Sequence, residues 1–237
     1  MIMKKITKDI TEILNYEYEF FENSIQDIIE KRYSELYKDG SKNGYYPLIL
    51  VPSDVLYDAL SINLEETTAA EYINFSKEID VNKYFKSKRN QYEFDDEHQT
   101  EVGEFSAEDS NDYLASYLDF DTSFPYEEIL ILKIPTRNPW ELLGHIPMGG
   151  YNDCPTPEYQ IAVAKYWYDD YKAVPAVITS NTIEFIIENP PQDFKSAEKL
   201  AYEHYLFCND IIDQGIETIR KLASILKNSI IWCFWWD

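Results

Sequence analysis

Hydrophobic positions recur along the first half of the chain mainly with the spacing of helices. Apolar side chains return at helical spacing over residues 6–14 and again over 21–36, which predicts two amphipathic helices. Residues 45–51 (YYPLILV) instead form a short unbroken apolar run, typical of a buried strand, and Ser53 is a suitable N-cap for a short helix after it. The first half is therefore predicted to be mixed and mainly helical.

The second half shows a clearer succession of elements. The pattern predicts a strand at 127–134, a helix that begins at Thr156 and Pro157, two strands joined by a turn at Ser180 and Asn181, helices at about 194–208 and 214–227, and a terminal strand. Asp213 is expected to be the N-cap of the last helix. This β-α-β-β-α-β order is that of a ferredoxin-like sandwich. We therefore predict an α+β, ferredoxin-like domain over residues 126–237, with the mainly helical region 1–125 packed on it.

The chain ends on its most hydrophobic stretch, NSIIWCFWWD. Alternate residues of a strand point to opposite faces, and both sets are apolar here, so both faces of this strand should be covered. A lone ferredoxin-like domain covers only one face of its sheet with helices. We therefore expect the N-terminal region, or a second subunit, to pack over the other face. The residues assigned to the structural core are Trp167, Trp232, Phe234, Trp235 and Trp236.

Charge narrows the range of partners. The chain has 43 acidic and 21 basic residues, a formal net charge of −22, which argues against nucleic acid and anionic membranes and favours a basic protein partner. Solubility is the simpler explanation of the same charge. No lysine or arginine occurs between Arg89 and Lys133, and acidic residues accumulate over 93–121. Such a tract is typical of a solvated loop or a mobile connection, so we place the boundary between the two regions near residue 125.

Cysteine content and the lack of long apolar runs bear on the compartment. Three cysteines are too few, and odd in number, for a disulfide framework. No apolar run approaches the roughly 18 residues of a membrane helix, and the stretch MIMKKITKDITEIL lacks the apolar core of a signal peptide. The sequence therefore predicts a cytoplasmic protein with no membrane partner. It leaves the oligomeric state open.

The stretch HIPMGGYNDCP, residues 145–155, is the first candidate site. Gly149 and Gly150 permit backbone conformations closed to other residues, and Asn152 and Asp153 favour turns. The stretch leads into the N-terminus of a predicted helix, where free N–H groups attract a carboxylate or phosphate. The alternative is a structured connection in which Asn152 ties down the backbone. A lone Gly-Gly pair lacks the spacing of a phosphate loop, which favours this alternative.

The stretch HYLFCNDIIDQG, residues 204–215, is the second candidate. His204 and Cys208 lie one helical turn apart, and Asp210 and Asp213 follow closely, a grouping that suggests metal ligands. Asp210 and Gln214 are the polar candidates for ligand or partner binding. A structural zinc site would show a second Cys or His pair, and His204 continues an apolar helix face. A core histidine is therefore the favoured interpretation. We predict neither a metal nor a cofactor.

Cys154 and His145 are conceivable as a nucleophile and its base. Nothing in the sequence orients the imidazole, and a free cysteine is more often a small buried hydrophobe. The sequence also lacks a G-x-S-x-G elbow, an H-E-x-x-H helix and a Walker loop. We therefore assign no catalytic residue.

Several separated motifs in the second half resemble one known family. The stretches IPMGGYNDCPTPE, YW, NPP, CNDIIDQG and WCFWWD occur in this order between residue 146 and the end of the sequence. Together they resemble domain-of-unknown-function family 4253. The resemblance implies a bacterial, cytoplasmic domain of about the length of residues 126–237, usually at the C-terminal end of its chains. The family has no established activity, so the resemblance leaves the function open.

Three functional hypotheses follow. The first is a non-enzymatic binding protein, by analogy of the immunity kind, whose acidic surface meets a basic partner such as a toxin. The second is an enzyme or small-ligand-binding module that uses the 145–158 loop and the 210–214 segment, and it predicts one concave pocket that unites them. The third is an oligomerising module, in which the terminal strand is an exposed edge that pairs with another chain.

Overall fold

The structure is a computed structural model that describes residues 3–91, 102–106 and 110–237. Part of the acidic tract at 93–121 therefore lies outside the described residues. Within them the chain forms a six-stranded mixed sheet with strands β1 (Glu17–Glu22), β2 (Tyr46–Leu50), β3 (Glu128–Ile134), β4 (Val174–Ile178), β5 (Thr182–Ile186) and β6 (Ile231–Trp235). The helices are α1 (Lys5–Leu14), α2 (Gln26–Asn43), α3 (Asp54–Glu65), α4 (Ala69–Ser76), α5 (Val81–Gln91), α6 (Leu142–His145), α7 (Pro157–Tyr171), α8 (Phe194–Phe207) and α9 (Ile219–Leu226). The predicted α+β class is confirmed. No helix in the described ranges is both long enough and apolar enough to span a bilayer.

The strands lie side by side in the order β1-β3-β2-β4-β5-β6. β2 and β4 run parallel, and every other neighbouring pair is antiparallel. The ferredoxin-like arrangement predicted for residues 126–237 is not confirmed, because β2 of the N-terminal region lies between β3 and β4. Element order along the chain does not determine strand order. β2 takes a central place because Leu48, Ile49 and Leu50 are fully buried, which requires cover on both of its faces.

Strand β1 is absent from the sequence-based prediction because its sequence, EYEFFE, carries three glutamates. It lies at the edge of the sheet, where these side chains reach solvent and cations. Lys133 Nζ lies 2.5 Å from Glu17 Oε1, and Arg32 donates to Glu19 at 2.6 and 2.7 Å. Charged side chains are typical of edge strands. β1 and β2 precede residue 125 and the other four strands follow it. The two predicted regions therefore share one sheet.

Helices cover the first face of the sheet and build an aromatic core with it. Trp167 of α7 is fully buried and stacks on Phe234 of β6, with ring centroids 5.1 Å apart and an interplanar angle of 8°. Trp232 meets the same indole edge-on at 5.8 Å, and Trp236 is also buried. Trp235, the fifth residue assigned to the core, is half-buried because its side chain points to the opposite face.

The second face of the sheet is covered by α2 and by part of the chain before β3. Ile29 and Tyr33 of α2 pack there against β2, β3 and β4. Tyr117 joins the same cluster, as does Ile231 at the start of β6. Helix α2 belongs to the N-terminal region, so this region covers the face that α7 and α8 leave open.

A π-helix at Ile211–Ile216 separates α8 from α9. Asp213 lies inside this π-helix, and the N-cap of α9 is Thr218, whose hydroxyl accepts from the Lys221 N–H at 3.3 Å. The predicted N-cap at Asp213 is therefore wrong. The reason is Glu217, whose positive φ of 76° ends the π-helix and delays the start of α9.

Candidate functional site

A groove of about 1100 Å³ opens where β2 and β4 end. The two strands are parallel neighbours, and residues 51–53 and 179–181, which follow them, both line the groove. From β2 the chain leads on to β3 on one side of the pair, and from β4 it leads to β5 on the other. Ligands of open sheets bind at such a switch point, outside the carboxyl ends of the parallel strands. The groove is therefore the first candidate for a functional site.

Residues 110–126 form one wall of the groove, and we call them the rim segment. The carbonyl of Asn111 accepts the first N–H group of β6 at 3.0 Å. Farther along, the N–H groups of Ala115 and Ser116 donate to the Glu184 carboxylate of β5 at 3.0 to 3.2 Å. Main-chain groups of the rim segment thus bond to the last two strands of the sheet, through the Glu184 side chain of β5 and the main chain of β6.

The rim segment carries a tight turn that displays two phenylalanines. The Asp119 N–H donates to the Phe124 carbonyl at 2.8 Å, and the Asp119 carboxylate accepts from the hydroxyl and N–H of Thr122 at 2.8 and 2.9 Å. These two bonds hold the pKa of Asp119 below its ordinary value. Phe120 is 96% exposed and Phe124 is 69% exposed. Large apolar side chains held outward in this way are typical of an interaction surface.

The groove is aromatic and acidic. Its aromatic lining residues are Tyr113, Phe120, Tyr126 and Trp235, and its acidic ones are Asp119 and Glu184. Among the described residues, no lysine, arginine or histidine lines it. Aromatic rings attract cations over their faces, and carboxylates bind them by charge-assisted hydrogen bonds. The lining therefore favours a ligand that is cationic and partly apolar.

Glu184 lies in the floor of the groove and is only 2% exposed. Burial raises its pKa, against the opposing effect of the N–H groups that bind it. In the register of β5 and β6 it lies opposite Cys233. Burial also raises the pKa of the Cys233 thiol to about 12, so the sulfur is protonated at neutral pH. The floor is thus suited to binding rather than to nucleophilic catalysis.

The loop predicted as the first site is a tightly fastened connection. The φ angles of Gly149, Gly150, Asn152 and Asp153 are 102°, 83°, 45° and 57°, all in the left-handed region. A Cβ atom at Gly149 would lie 2.3 Å from the side-chain nitrogen of Gln160, so only glycine fits there. The buried Gln160 amide donates to two carbonyl groups of the loop, at 2.8 and 2.9 Å.

A second cavity, of about 460 Å³, lies beside this loop, and we call it the loop cavity. Gly150, Asn152 and Asp153 line it together with Lys88 and other polar residues of α5. Gly149 is buried and does not line it. Three of the four predicted loop residues therefore face a space of the size that a small ligand occupies.

The structure separates the loop from the other predicted segment. Asp210 is buried, and its carboxylate accepts from the Gln214 amide and from the main-chain N–H of Asp237, both at 3.0 Å. Gln214 lines a different cavity of about 460 Å³, beside the π-helix. None of the residues described around the loop cavity comes from 210–214. Asp210 thus holds the end of the chain, and the two segments do not share a pocket.

Of the remaining candidates, His204 and Cys154 are buried and His145 is half-buried. His204 is 1% exposed among the rings of Trp167 and Trp232, at 4.9 and 4.6 Å, and burial lowers its pKa well below the ordinary value. It is a neutral core histidine. Burial raises the pKa of the Cys154 thiol, and His145 bonds through Nδ1 to a tyrosine hydroxyl at 2.8 Å. In the described parts of the chain, no group of His, Cys, Asp and Glu side chains is arranged to hold a metal ion.

The motifs of the second half can be compared with known families. Residues 130–237 match the family model described as Domain of unknown function (DUF4253). The resemblance seen in the sequence is thereby confirmed for this part of the chain. None of the curated proteins and none of the solved structures compared with the chain matches it.

The groove is built only partly by the DUF4253 region. That region supplies β4, β5 and β6, and with them Glu184 and Trp235 of the groove floor. The rim segment and residues 51–53 precede residue 130. The groove therefore depends on the packing of the DUF4253 region against the part of the chain before it.

The sites predicted from the sequence do not include the groove. A signal for it exists, because turn-forming residues follow each of two buried strands: Pro52 and Ser53 after β2, and Ser180 and Asn181 after β4 in the DUF4253 region. Only the parallel pairing of β2 with β4 brings the two turns together. Hydrophobic periodicity carries no information on that long-range contact.

Proposed function

We propose that this chain is a non-enzymatic binding protein whose groove and rim segment take up a basic protein partner. The observation that carries the proposal is the composition of the groove, with aromatic and acidic lining residues and, among the described ones, no basic residue. The net charge of −22 adds long-range attraction for a basic partner, which speeds association and orients the encounter.

A protein partner fits better than a small molecule because the aromatic surface extends beyond the groove. Phe124 does not line the groove, yet it stands 69% exposed on the same turn as Phe120. Buried aromatic anchors surrounded by polar residues dominate the binding energy of protein interfaces. Phe120 and Phe124 of the rim segment would become two such anchors when a partner covers them. Asp119 and Asp121 flank Phe120 as the polar neighbours.

We propose further that the partner relationship is of the immunity kind, in which an acidic cytoplasmic protein neutralises a basic toxin. The support is the charge of the surface and the use of three unpaired cysteines, which suits a reducing compartment. A gene for a large toxin-like protein beside the gene for this chain would support the assignment. Its absence across several such loci would count against it.

Binding of a defined basic probe tests the central proposal. We would titrate the full chain with a short synthetic peptide of arginine, lysine and phenylalanine, and with a matched peptide in which glutamate replaces each basic residue. Isothermal titration calorimetry gives the affinity, and stopped-flow tryptophan fluorescence gives the association rate. We expect binding of the basic peptide alone. Equal binding of the two peptides, or no binding of the basic one, would refute the proposal.

A pair of charge variants locates the interaction. Asp119→Asn with Asp121→Asn should slow association of the basic peptide by roughly threefold to tenfold at low salt, because it removes charge beside the groove. Asp170→Asn with Glu66→Gln removes the same amount of charge from exposed positions that do not line the groove. Equal effects of the two double variants would mean that only the total charge matters.

A second candidate function is the binding of a small ligand in the loop cavity. The presence of this cavity is the specific observation in favour of that function. Asn152 and Asp153 present polar side chains there beside Lys88. A screen of small metabolites and anions by thermal unfolding should find a compound that raises the melting temperature of the wild type, since ligands stabilise the state they bind. Asn152→Ala should abolish that shift. If Asn152→Ala keeps the full shift, the compound binds elsewhere.

A further inference from the structure

Glu184 is a buried carboxylate without a cation. It accepts from the N–H groups of Ala115 and Ser116 and from the Ser116 hydroxyl, and no lysine, arginine or histidine among the described residues forms an ion pair with it. Buried charged groups in proteins are ordinarily paired, because removing a charge from water costs several kcal/mol. Its environment therefore lacks the positive charge that a buried carboxylate normally has beside it.

The missing charge can come from outside, because Glu184 lines the groove. An ionised carboxylate offers about four acceptor positions on its two oxygens. Three donors reach it: the Ala115 N–H, which is shared between both oxygens, the Ser116 N–H and the Ser116 hydroxyl. At least one position is left for a donor that enters from the groove, and a donor that carries a charge would bind it most strongly.

An aromatic residue, Trp235, shares a face of the sheet and the groove lining with this carboxylate. In the β5–β6 register Glu184 pairs with Cys233, and Trp235 is two residues further along β6. Diagonal neighbours of this kind lie about 7–8 Å apart, within reach of large side chains. Trp235 is half-buried and lines the groove with Glu184. Indole is the side chain that binds cations best over its face.

We propose that Glu184 and Trp235 form a subsite for the guanidinium group of an arginine side chain of the partner. This inference rests on the proposed function and names the chemistry of its contact. Guanidinium suits the site better than ammonium because it is planar, stacks on aromatic rings and is more weakly hydrated. The two N–H bonds from the rim segment hold the carboxylate in place for it.

Arginine binding should change the protonation of Glu184. A guanidinium beside the carboxylate favours its ionised form, so binding lowers the pKa that burial has raised, and protons are released in mildly acidic solution. The other titratable groups around it are the Cys233 thiol and the Tyr117 hydroxyl, whose pKa values burial raises, and the Asp119 carboxyl, whose pKa the Thr122 bonds lower. None of these three groups releases a proton in mildly acidic solution when a cation binds. The released protons therefore come from Glu184.

The test uses three capped tripeptides as probes: tri-arginine, tri-lysine and tri-citrulline, the last being uncharged and similar in shape to arginine. Calorimetry on the full chain should show tri-arginine binding roughly tenfold more tightly than tri-lysine, and no detectable binding of tri-citrulline. In buffers of different ionisation enthalpy, tri-arginine binding near pH 5 should release protons. A merely structural glutamate would give neither the discrimination nor the release.

Two variants and one matched control complete the experiment. Glu184→Gln should lose roughly tenfold or more in affinity for tri-arginine, because the charged acceptor is gone. It keeps an oxygen that can accept from both Ala115 and Ser116, so the fold should survive. Trp235→Phe should lose roughly threefold, because phenylalanine binds cations more weakly. Glu188→Gln changes an exposed glutamate outside the groove and should bind as the wild type does.

Each outcome decides between the two proposals. Wild-type affinity in a folded Glu184→Gln refutes the subsite but leaves the proposed function standing if the basic peptide still binds through the Asp119 and Asp121 charges. Failure of the wild type to bind any basic probe refutes both. If Glu184→Gln does not fold, the test rests on proton release and the preference for arginine in the wild type, together with the affinity of Trp235→Phe. Absence of both the proton release and the preference for arginine overturns the subsite.

Discussion

The indole of Trp167 lies parallel to the ring of Phe234, and this contact joins the C-terminal half of α7 to the last strand of the sheet. Both side chains are fully buried. Phe234→Ala should lower the free energy of unfolding by about 3–5 kcal/mol, because it removes a buried ring and leaves a cavity that the stacked indole cannot fill. Urea unfolding followed by far-UV circular dichroism measures the change.

A matched control exists on the surface. Phe120→Ala removes the same ring from a side chain that is 96% exposed, so it should change the free energy of unfolding by no more than about 0.5 kcal/mol. Similar losses in the two variants would mean that β6 is not a core strand. Deletion of residues 230–237 should abolish folding for the same reason, and a soluble truncation with a cooperative thermal transition would contradict this.

The terminal strand shows what the sequence can predict. Its alternation places Trp232, Phe234 and Trp236 on one face and Cys233 and Trp235 on the other; in the structure the first three are in the aromatic core and the last two line the groove. The prediction succeeds because the two-residue period of a strand is local information. The same apolar pattern on both faces also predicts that both faces of the sheet are covered.

The strand order and the position of the groove cannot be predicted from local sequence patterns. The pairing of β2 with β4 joins Ile49 to Val177, which are far apart in the chain, and it decides both the topology and the position of the groove. The loop residues are a different case. Gly149 is recognisable as a special backbone position from its residue type alone, but its partner Gln160 is identified only by the folded geometry.

The loop makes a second prediction about stability. Gly149→Ala should cost about 3 kcal/mol, because the new Cβ would meet the Gln160 amide at 2.3 Å and φ is 102°. Gly150→Ala should cost only about 1 kcal/mol, since φ is also positive there but the nearest atom is at 3.8 Å. Urea unfolding of both variants gives the comparison. Equal losses would show that backbone strain alone, and not the contact with Gln160, makes glycine necessary.

His204 makes a prediction about pH. Burial lowers its pKa in the folded state, so the unfolded chain binds a proton more readily once the pH falls below the ordinary histidine value of 6.5. The free energy of unfolding contributed by this residue should therefore fall between pH 6.5 and pH 5, by at most about 1.6 kcal/mol. Urea unfolding at the two pH values measures it.

The control for the pH effect is His204→Leu, which lacks the titrating group. The variant should lose less stability than the wild type over the same pH interval. His145, whose pKa burial also lowers, remains in both proteins, so its contribution cancels in the comparison. An equal loss in the two proteins would show that His204 takes up a proton in the folded state without penalty.

The two exposed phenylalanines of the rim segment should contribute to binding of the partner but not to the stability of the fold. Phe120→Ala with Phe124→Ala should weaken binding of the basic, phenylalanine-containing peptide by roughly tenfold, because aromatic anchors at interfaces contribute about 1–2 kcal/mol or more each. The melting temperature should stay within about 2 °C of the wild type, since neither ring is buried in the free protein. Phe75→Ala on α4 is the matched control, because Phe75 is 52% exposed and lies outside the groove. If Phe75→Ala weakens binding as much as the double variant does, the partner adheres to exposed rings in general. If only the rim variant does, the basic partner contacts the turn that Asp119 holds in place.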